Sequence, residues 1–196
     1  GIADDAVGNT KLDLSANYAF TGTVTGAGGG KVLQVVSTTK TDSFSATAGG
    51  GAGGSGFVDV TGMSVNITPS STSSKIYVHT NLNVATLSGS DYEISNMINI
   101  VRDSTNVFVG TDASGSQTNA GSYTTDVDSD SRNMQNVISS GLDSPNTTSQ
   151  VTYKIKISQG YNIGGRTVYV NRNASTGDNY STVRTASTIT VMEISA

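Results

Sequence analysis

The chain contains no cysteine, which excludes disulfides and thiolate metal sites and leaves the redox compartment unread. It has no apolar run near the roughly 18 residues of a membrane span, so membrane insertion is not expected. Clustered cations are missing too: the 11 Lys and Arg are scattered from Lys11 to Arg184. Binding to nucleic acid through counterion release needs several cations together, so no nucleic-acid partner is expected. Charge is sparse overall, at 13% of residues with a net value of −4. Helix-forming Glu, Lys, Ala and Leu are scarce, which argues against a helical fold.

What remains is a β-forming composition. Ser and Thr make up more than a quarter of the chain, Gly contributes 23 residues, and Val, Ile, Thr and Tyr recur in short runs. Branched side chains fit a pleated sheet and lose freedom in a helix. A length of 196 residues with 35% hydrophobic content fits one domain carrying an appendage. The sequence starts at Gly1 rather than Met and shows no signal-peptide core, which leaves open an upstream piece already removed.

The appendage is residues 1–30. Its large apolar residues are few, Ile2, Val7, Leu12 and Leu14 in the first half, and Gly8-Asn9 interrupts any helix. Tyr18–Thr25 alternates like a strand, and Gly26–Gly30 reads as a flexible joint. A segment this thin is expected to order only against a partner or copies of itself.

From Lys31 to Ala196 the pattern is strand after strand. Short β-prone runs occupy 32–36 and 37–47, followed by the glycine-rich loop 48–56. Runs at 57–61 and 63–68 are separated by Gly62. In 76–84, Ile76, Val78, Thr80, Leu82 and Val84 face one way and Tyr77, His79, Asn81 and Asn83 the other. That period of two marks a half-buried antiparallel strand. Residues 92–110 read as a hairpin turning at Asp103–Asn106, and 111–131 as a long polar loop. Further strands are expected at 134–142, 151–158, 167–170 and 188–194. The spacing predicts an all-β, antiparallel β-sandwich of jelly-roll type over 31–196, with 1–30 as an extended stalk.

Chemical motifs are weak. His79 is the single histidine, and no G-x-S-x-G elbow supplies a nucleophile for it. Its strand face, shared with Asn81 and Asn83, predicts a solvent- or interface-facing imidazole. Residues 51–56 match G-x-G-x-x-G, but no helix follows to hold a pyrophosphate, so no cofactor is expected. Asp126, Asp128 and Asp130 alternate like the opening of a calcium loop, yet Ser131 stands where Gly is needed and Val137 where Glu is needed. They are a metal candidate against the simpler reading of a solvated acidic loop. Asp91 and Glu93 form an acidic pair on one element without an aromatic cleft, too little for a glycosidase. Among Tyr77, Tyr123, Tyr161, Tyr169 and Tyr180, the loop-borne Tyr123, Tyr161 and Tyr180 are the receptor-contact candidates.

Several blocks carry a resemblance. KVLQVVSTTKTDSFS (31–45), FVDVTGMSVNITPSSTSSKI (57–76), INIVRDSTNVFVG (98–110), LDSPNTTSQVTYKIKI (142–157), TVYVNRN (167–173) and STITVMEISA (187–196) are together similar to phage fibre proteins of marine and other aquatic viruses. GIADDAVGNTKL (1–12) and NYAFTGTVTGAG (17–28) resemble the linkers that precede such domains. The resemblance implies a non-enzymatic virion surface protein, homotrimeric, with a shaft anchored to other virion proteins and a distal sandwich touching a host glycan or protein. It supplies no catalytic or metal motif. A capsid decoration or head fibre, a depolymerase, and a bacterial secreted filament or adhesin subunit are the competing readings.

Overall fold

The structure is a computed structural model that describes residues 31–48, 56–86, 94–126, 131–160 and 166–195. Eleven strands and no helix are found among them: β1 (Val32–Lys40), β2 (Phe44–Ala48), β3 (Val58–Ile67), β4 (Lys75–Thr86), β5 (Ile94–Arg102), β6 (Thr105–Val107), β7 (Ser122–Asp126), β8 (Gln135–Asp143), β9 (Val151–Gln159), β10 (Arg166–Val170) and β11 (Ser187–Ile194). All pair antiparallel, in two sheets. Residues 1–30, the expected stalk, lie outside the described residues.

Three strand pairs are collinear. On one edge of β4, β11 pairs with residues 75–81 and β10 with residues 84–86. Beyond them, β1 lies on β11 and β2 on β10. In the second sheet, β6 and β7 share one edge of β5. Counting each collinear pair as one strand leaves four positions per sheet: β8, β4, β10/β11, β1/β2 in sheet A, and β3, β9, β5, β6/β7 in sheet B. In chain order these are strands 6-3-8-1 and 2-7-4-5. Successive strands cross between the sheets except at the β5–β6 hairpin, which is the jelly-roll order.

Alternation fills the space between the sheets. Ile76, Val78, Leu82 and Val84 from β4 and Ile189 and Val191 from β11 meet Ile98 and Ile100 from β5 and Tyr153, Ile155 and Ile157 from β9. Each of these is at most 3% exposed, so the faces assigned to 76–84 from the period hold. Thr80, polar within this set, donates to the Ser139 carbonyl at 3.2 Å and so costs little to bury.

Two expectations are corrected. Gly62 does not separate two strands. It sits in a bulge of β3 with φ +83°, where the register on β9 slips between Asp59 and Ser64. Residues 111–131 are not loop throughout, because β7 lies within them and pairs with β5.

The sandwich has two unlike ends. The near end holds both described chain termini, tied by Ser195 N–H to the Lys31 carbonyl and Lys31 N–H to Ser195 Oγ, each 2.9 Å. It also holds the connections 68–74, 103–104 and 144–150. From the far end of the strands depart the links β2–β3, β4–β5, β7–β8 and β9–β10.

Candidate functional site

Near-end closure rests on two buried polar clusters. Glu193 points inward from β11 at 0% exposure. Its carboxylate accepts from Ser70 N–H and Ser70 Oγ at 2.7 Å each and from Gln34 Nε2 at 2.6 Å. Burial pushes its pKa up, but these bonds outweigh it and hold the pKa down at about 2, with the Ser74 hydroxyl adding its dipole short of hydrogen-bond geometry. Across the sandwich, Asp143 of β8 accepts from Arg102 at 2.6 Å and from Tyr153 Oη at 2.7 Å, joining both strands of sheet B to sheet A. Burial, with Asp143 beside it, keeps the Tyr153 phenol protonated far above its ordinary range. These side chains are consumed in holding the fold and offer no site.

Each sheet also sends out an excursion between collinear strands. Residues 171–187 leave between β10 and β11 and return, and Asn171 closes their base. Its Nδ2 donates to the Lys40 and Asp42 carbonyls at 2.8 and 3.0 Å, and its Oδ1 accepts from Ser187 Oγ at 2.6 Å. Its N–H donates to the Asn83 carbonyl at 3.0 Å and its own carbonyl accepts from Thr185 N–H at 3.1 Å. The same side chain thereby bridges the β1–β2 break. Asn171 is 0% exposed with φ +62°, a backbone state that Asn tolerates better than most residues.

Residues 108–121 form the second excursion, between β6 and β7. Phe108, at φ +57°, turns its ring into the gap between the sheets against Gly141 of β8, where a Cβ would lie 2.6 Å from the ring. Return to the sheet is fixed by Gly121 N–H, shared between the Ile98 carbonyl at 3.1 Å and Asn99 Oδ1 at 2.9 Å.

Between this excursion and the outer surface of sheet B lies a recess of about 580 Å³. Met97 and Gly160 line it from the sheet, Asp112, Gln117, Asn119 and Gly121 from the excursion, and Tyr123 from β7. The Gly160 position is bare by necessity, since a Cβ there would overlap the Ser95 hydroxyl and lie 3.3 Å from the Tyr123 ring. Tyr123 is 57% exposed, and among the described residues no Lys or Arg lines the recess. The arrangement is an aromatic face beside amide and hydroxyl groups and the Asp112 carboxylate, suited to holding a polar surface rich in hydrogen-bond donors rather than an anion.

Of the sequence candidates, Tyr123 stands at this recess. Tyr180 is fully exposed on the other excursion, attached to the other sheet, so the structure does not bring the two into one site. Tyr161 lies outside the described residues, as do Asp128, Asp130, Asp91 and Glu93; of Asp126 only the strand position is described. Among the described residues no three metal-ligating side chains come together. Tyr169 packs under the Arg172 guanidinium, 5.0 Å from the ring centre. His79 lies on the outer face of sheet A between Thr190 and Ser140, as its period predicts. The recess itself was not foreseen, because its excursion is a polar stretch without periodicity.

A scan against protein-family models finds none that matches this chain. A search of curated proteins finds no matching relative. Among solved structures, the chain is similar to a chain of the T13 particle of infectious bursal disease virus, with 12% identity and a TM-score of 0.42, over 82% of this chain and 37% of that one. It is also similar to a chain in the structure of the Gx strain of the same virus, with 14% identity and a TM-score of 0.35, over 82% and 38%. The chain thus spans less than two-fifths of either neighbour.

Proposed function

We infer that this chain is a structural protein of a virion surface, a phage fibre whose jelly-roll head is carried on residues 1–30 and touches the host. The observation that supports it most is the polarity of the head. Both described termini meet at the near end, so a stalk joined at Lys31 presents the opposite end outward. The recess lies toward that outward half: Met97 and Gly160 sit near the far ends of β5 and β9. The family resemblance of the sequence blocks supports the same reading, and its role is structural rather than catalytic.

In this reading residues 1–30 bind other virion proteins and bring copies of the chain together as a trimer. Immunogold labelling of intact particles tests the assignment. Label on a projecting fibre is the expected result, label on the shell alone makes the chain a capsid decoration, and unlabelled particles overturn the virion role. Host contact is tested by pre-incubating host cells with purified protein. Wild type is expected to block particle adsorption, and Tyr123→Ala to block it less.

A further inference from the structure

We propose that the near half of the outer face of sheet A is a contact surface between copies of this chain. The inference rests on the self-association proposed above and names the surface that carries it in the head, apart from the stalk.

The register places one apolar row across the whole sheet. Val35 pairs with Met192, Met192 with Tyr77, and Tyr77 with Leu142, so all four strand positions contribute one apolar side chain to the same outer line. The burial patterns confirm the direction, since the residues flanking each of them point into the sandwich or are less exposed. Val35 and Leu142 at the two edges are each 56% exposed, and Leu33 beside Val35 is 47% exposed. Tyr77 and Met192 between them are half-buried, and removing the exposed edge residues from water is favourable, so a continuous apolar row of this kind marks an interaction site.

Charge identifies the partner. The next outward row is Ser37, Thr190, His79 and Ser140, and the one after it Thr39, Thr188, Asn81 and Ile138, the last 60% exposed. None of these three rows contains Asp, Glu, Lys or Arg, and Lys75, which borders the apolar row at the near end beside Ile194, has its ammonium engaged by Ser144 Oγ at 2.7 Å. Identical faces that meet about a symmetry axis set like groups near like groups, so a charged face repels its own copy and this one does not. Depletion of charge around an apolar centre is also the composition of interface cores. The outer face of sheet B is built the other way, with Asp59 paired to Lys154 at 2.8 Å and to Lys156 at 3.5 Å.

Position completes the argument. Thirty residues precede Lys31, which leads into β1, the edge strand carrying Leu33 and Val35. Copies meeting through this face about an axis along the strands would bring their leaders to the same side of the assembly, where the few apolar residues of each could be shared.

The test uses the full chain and native mass spectrometry, with Leu142→Lys in the row and Lys154→Glu on the opposite face as the control. Leu142 points outward and is exposed, so the substitution leaves the fold intact, which circular dichroism checks. Wild type and the control are expected to give a multiple of the 20.0 kDa single-chain mass, and Leu142→Lys a clearly larger single-chain fraction than either. A multimeric wild type with an unaffected Leu142→Lys overturns this surface while leaving stalk-driven assembly standing. A monomeric wild type overturns both. Because the chain has no cysteine, Leu142→Cys gives a second readout. Bismaleimide is expected to link copies through Leu142→Cys and not through Lys154→Cys, and equal linking by both also overturns the proposal.

Discussion

Residues 171–187 and 108–121 leave their sheets in the same way, between collinear strands that both lie on one edge of a central strand, yet their bases are closed by different chemistry. At the first, one buried amide uses both its ends in three hydrogen bonds and locks two strand breaks side by side. At the second, an aromatic ring fills the gap and small residues make room for it. A saturated polar closure is directional and has no slack, since any lost bond leaves a buried partner unpaired. A ring against glycine is looser: a cavity of about 250 Å³ remains beside Phe108, and the recess opens on the same excursion. The tight closure belongs to the loop that carries the fully exposed Tyr180, the loose one to the loop that borders the recess.

Asn171→Ala is expected to have the largest effect on stability. It strips bonds from the Lys40 and Asp42 carbonyls and the Ser187 hydroxyl and puts Ala at a positive φ that Asn tolerates better, costing about 3 kcal/mol or more. Urea unfolding measures it, and Asn171→Gly separates the two causes by removing the bonds alone. A loss under roughly 1 kcal/mol would show that the network is not what closes this gap.

Acid probes the near end, where Glu193 is closed in the same saturated manner. Its pKa sits near 2 in the folded chain against an ordinary 4.5. The unfolded chain therefore takes up a proton first, and the stability from this group is complete above pH 4.5 and lost as pH falls toward 2. Unfolding followed from pH 6 to 2 is expected to show that loss in wild type and a flatter profile in Glu193→Gln. Equal slopes would remove Glu193 from the account.

The looser closure should respond to size instead. Gly141→Ala drives a Cβ into the Phe108 ring and is expected to cost roughly 1–3 kcal/mol. Adding Phe108→Ala should recover part of that cost, and strict additivity in the double-mutant cycle would mean that the ring and Gly141 do not touch in solution. At the bottom of the scale, Tyr180→Ala is expected to change stability by no more than about 0.5 kcal/mol, because its side chain is fully exposed. A larger change would mean that the first excursion has contacts at its tip as well as its base.

Much of the fold was legible because hydrophobic alternation is a local signal. Residues 76–84 and 151–157 show it plainly, and the strands and inner faces assigned from it are those found. β7 was missed for the converse reason. Its inward residues are Ser122 and Thr124, which meet Ser139 and Asn96 through hydroxyls, so no apolar period exists to detect. Gly62 looked like a break because a bulge and a strand end have the same sequence appearance. The collinear pairs, the Asn171 network and the outer row of sheet A depend on register between strands far apart in the chain. Val35, Tyr77, Leu142 and Met192 give no hint in sequence that they share a line.

The stitched termini decide how the head would carry load. A force that separated Lys31 from Ser195 would open the β1–β11 ladder from its end, one bond after another. Tension between Lys31 and a contact at the far end instead runs along β1, whose nine residues slide against β11 only if the ladder fails together. Parallel loading of many bonds resists far more than serial peeling. A head tethered through its N-terminal side alone and gripped at the opposite end is pulled in its strong direction.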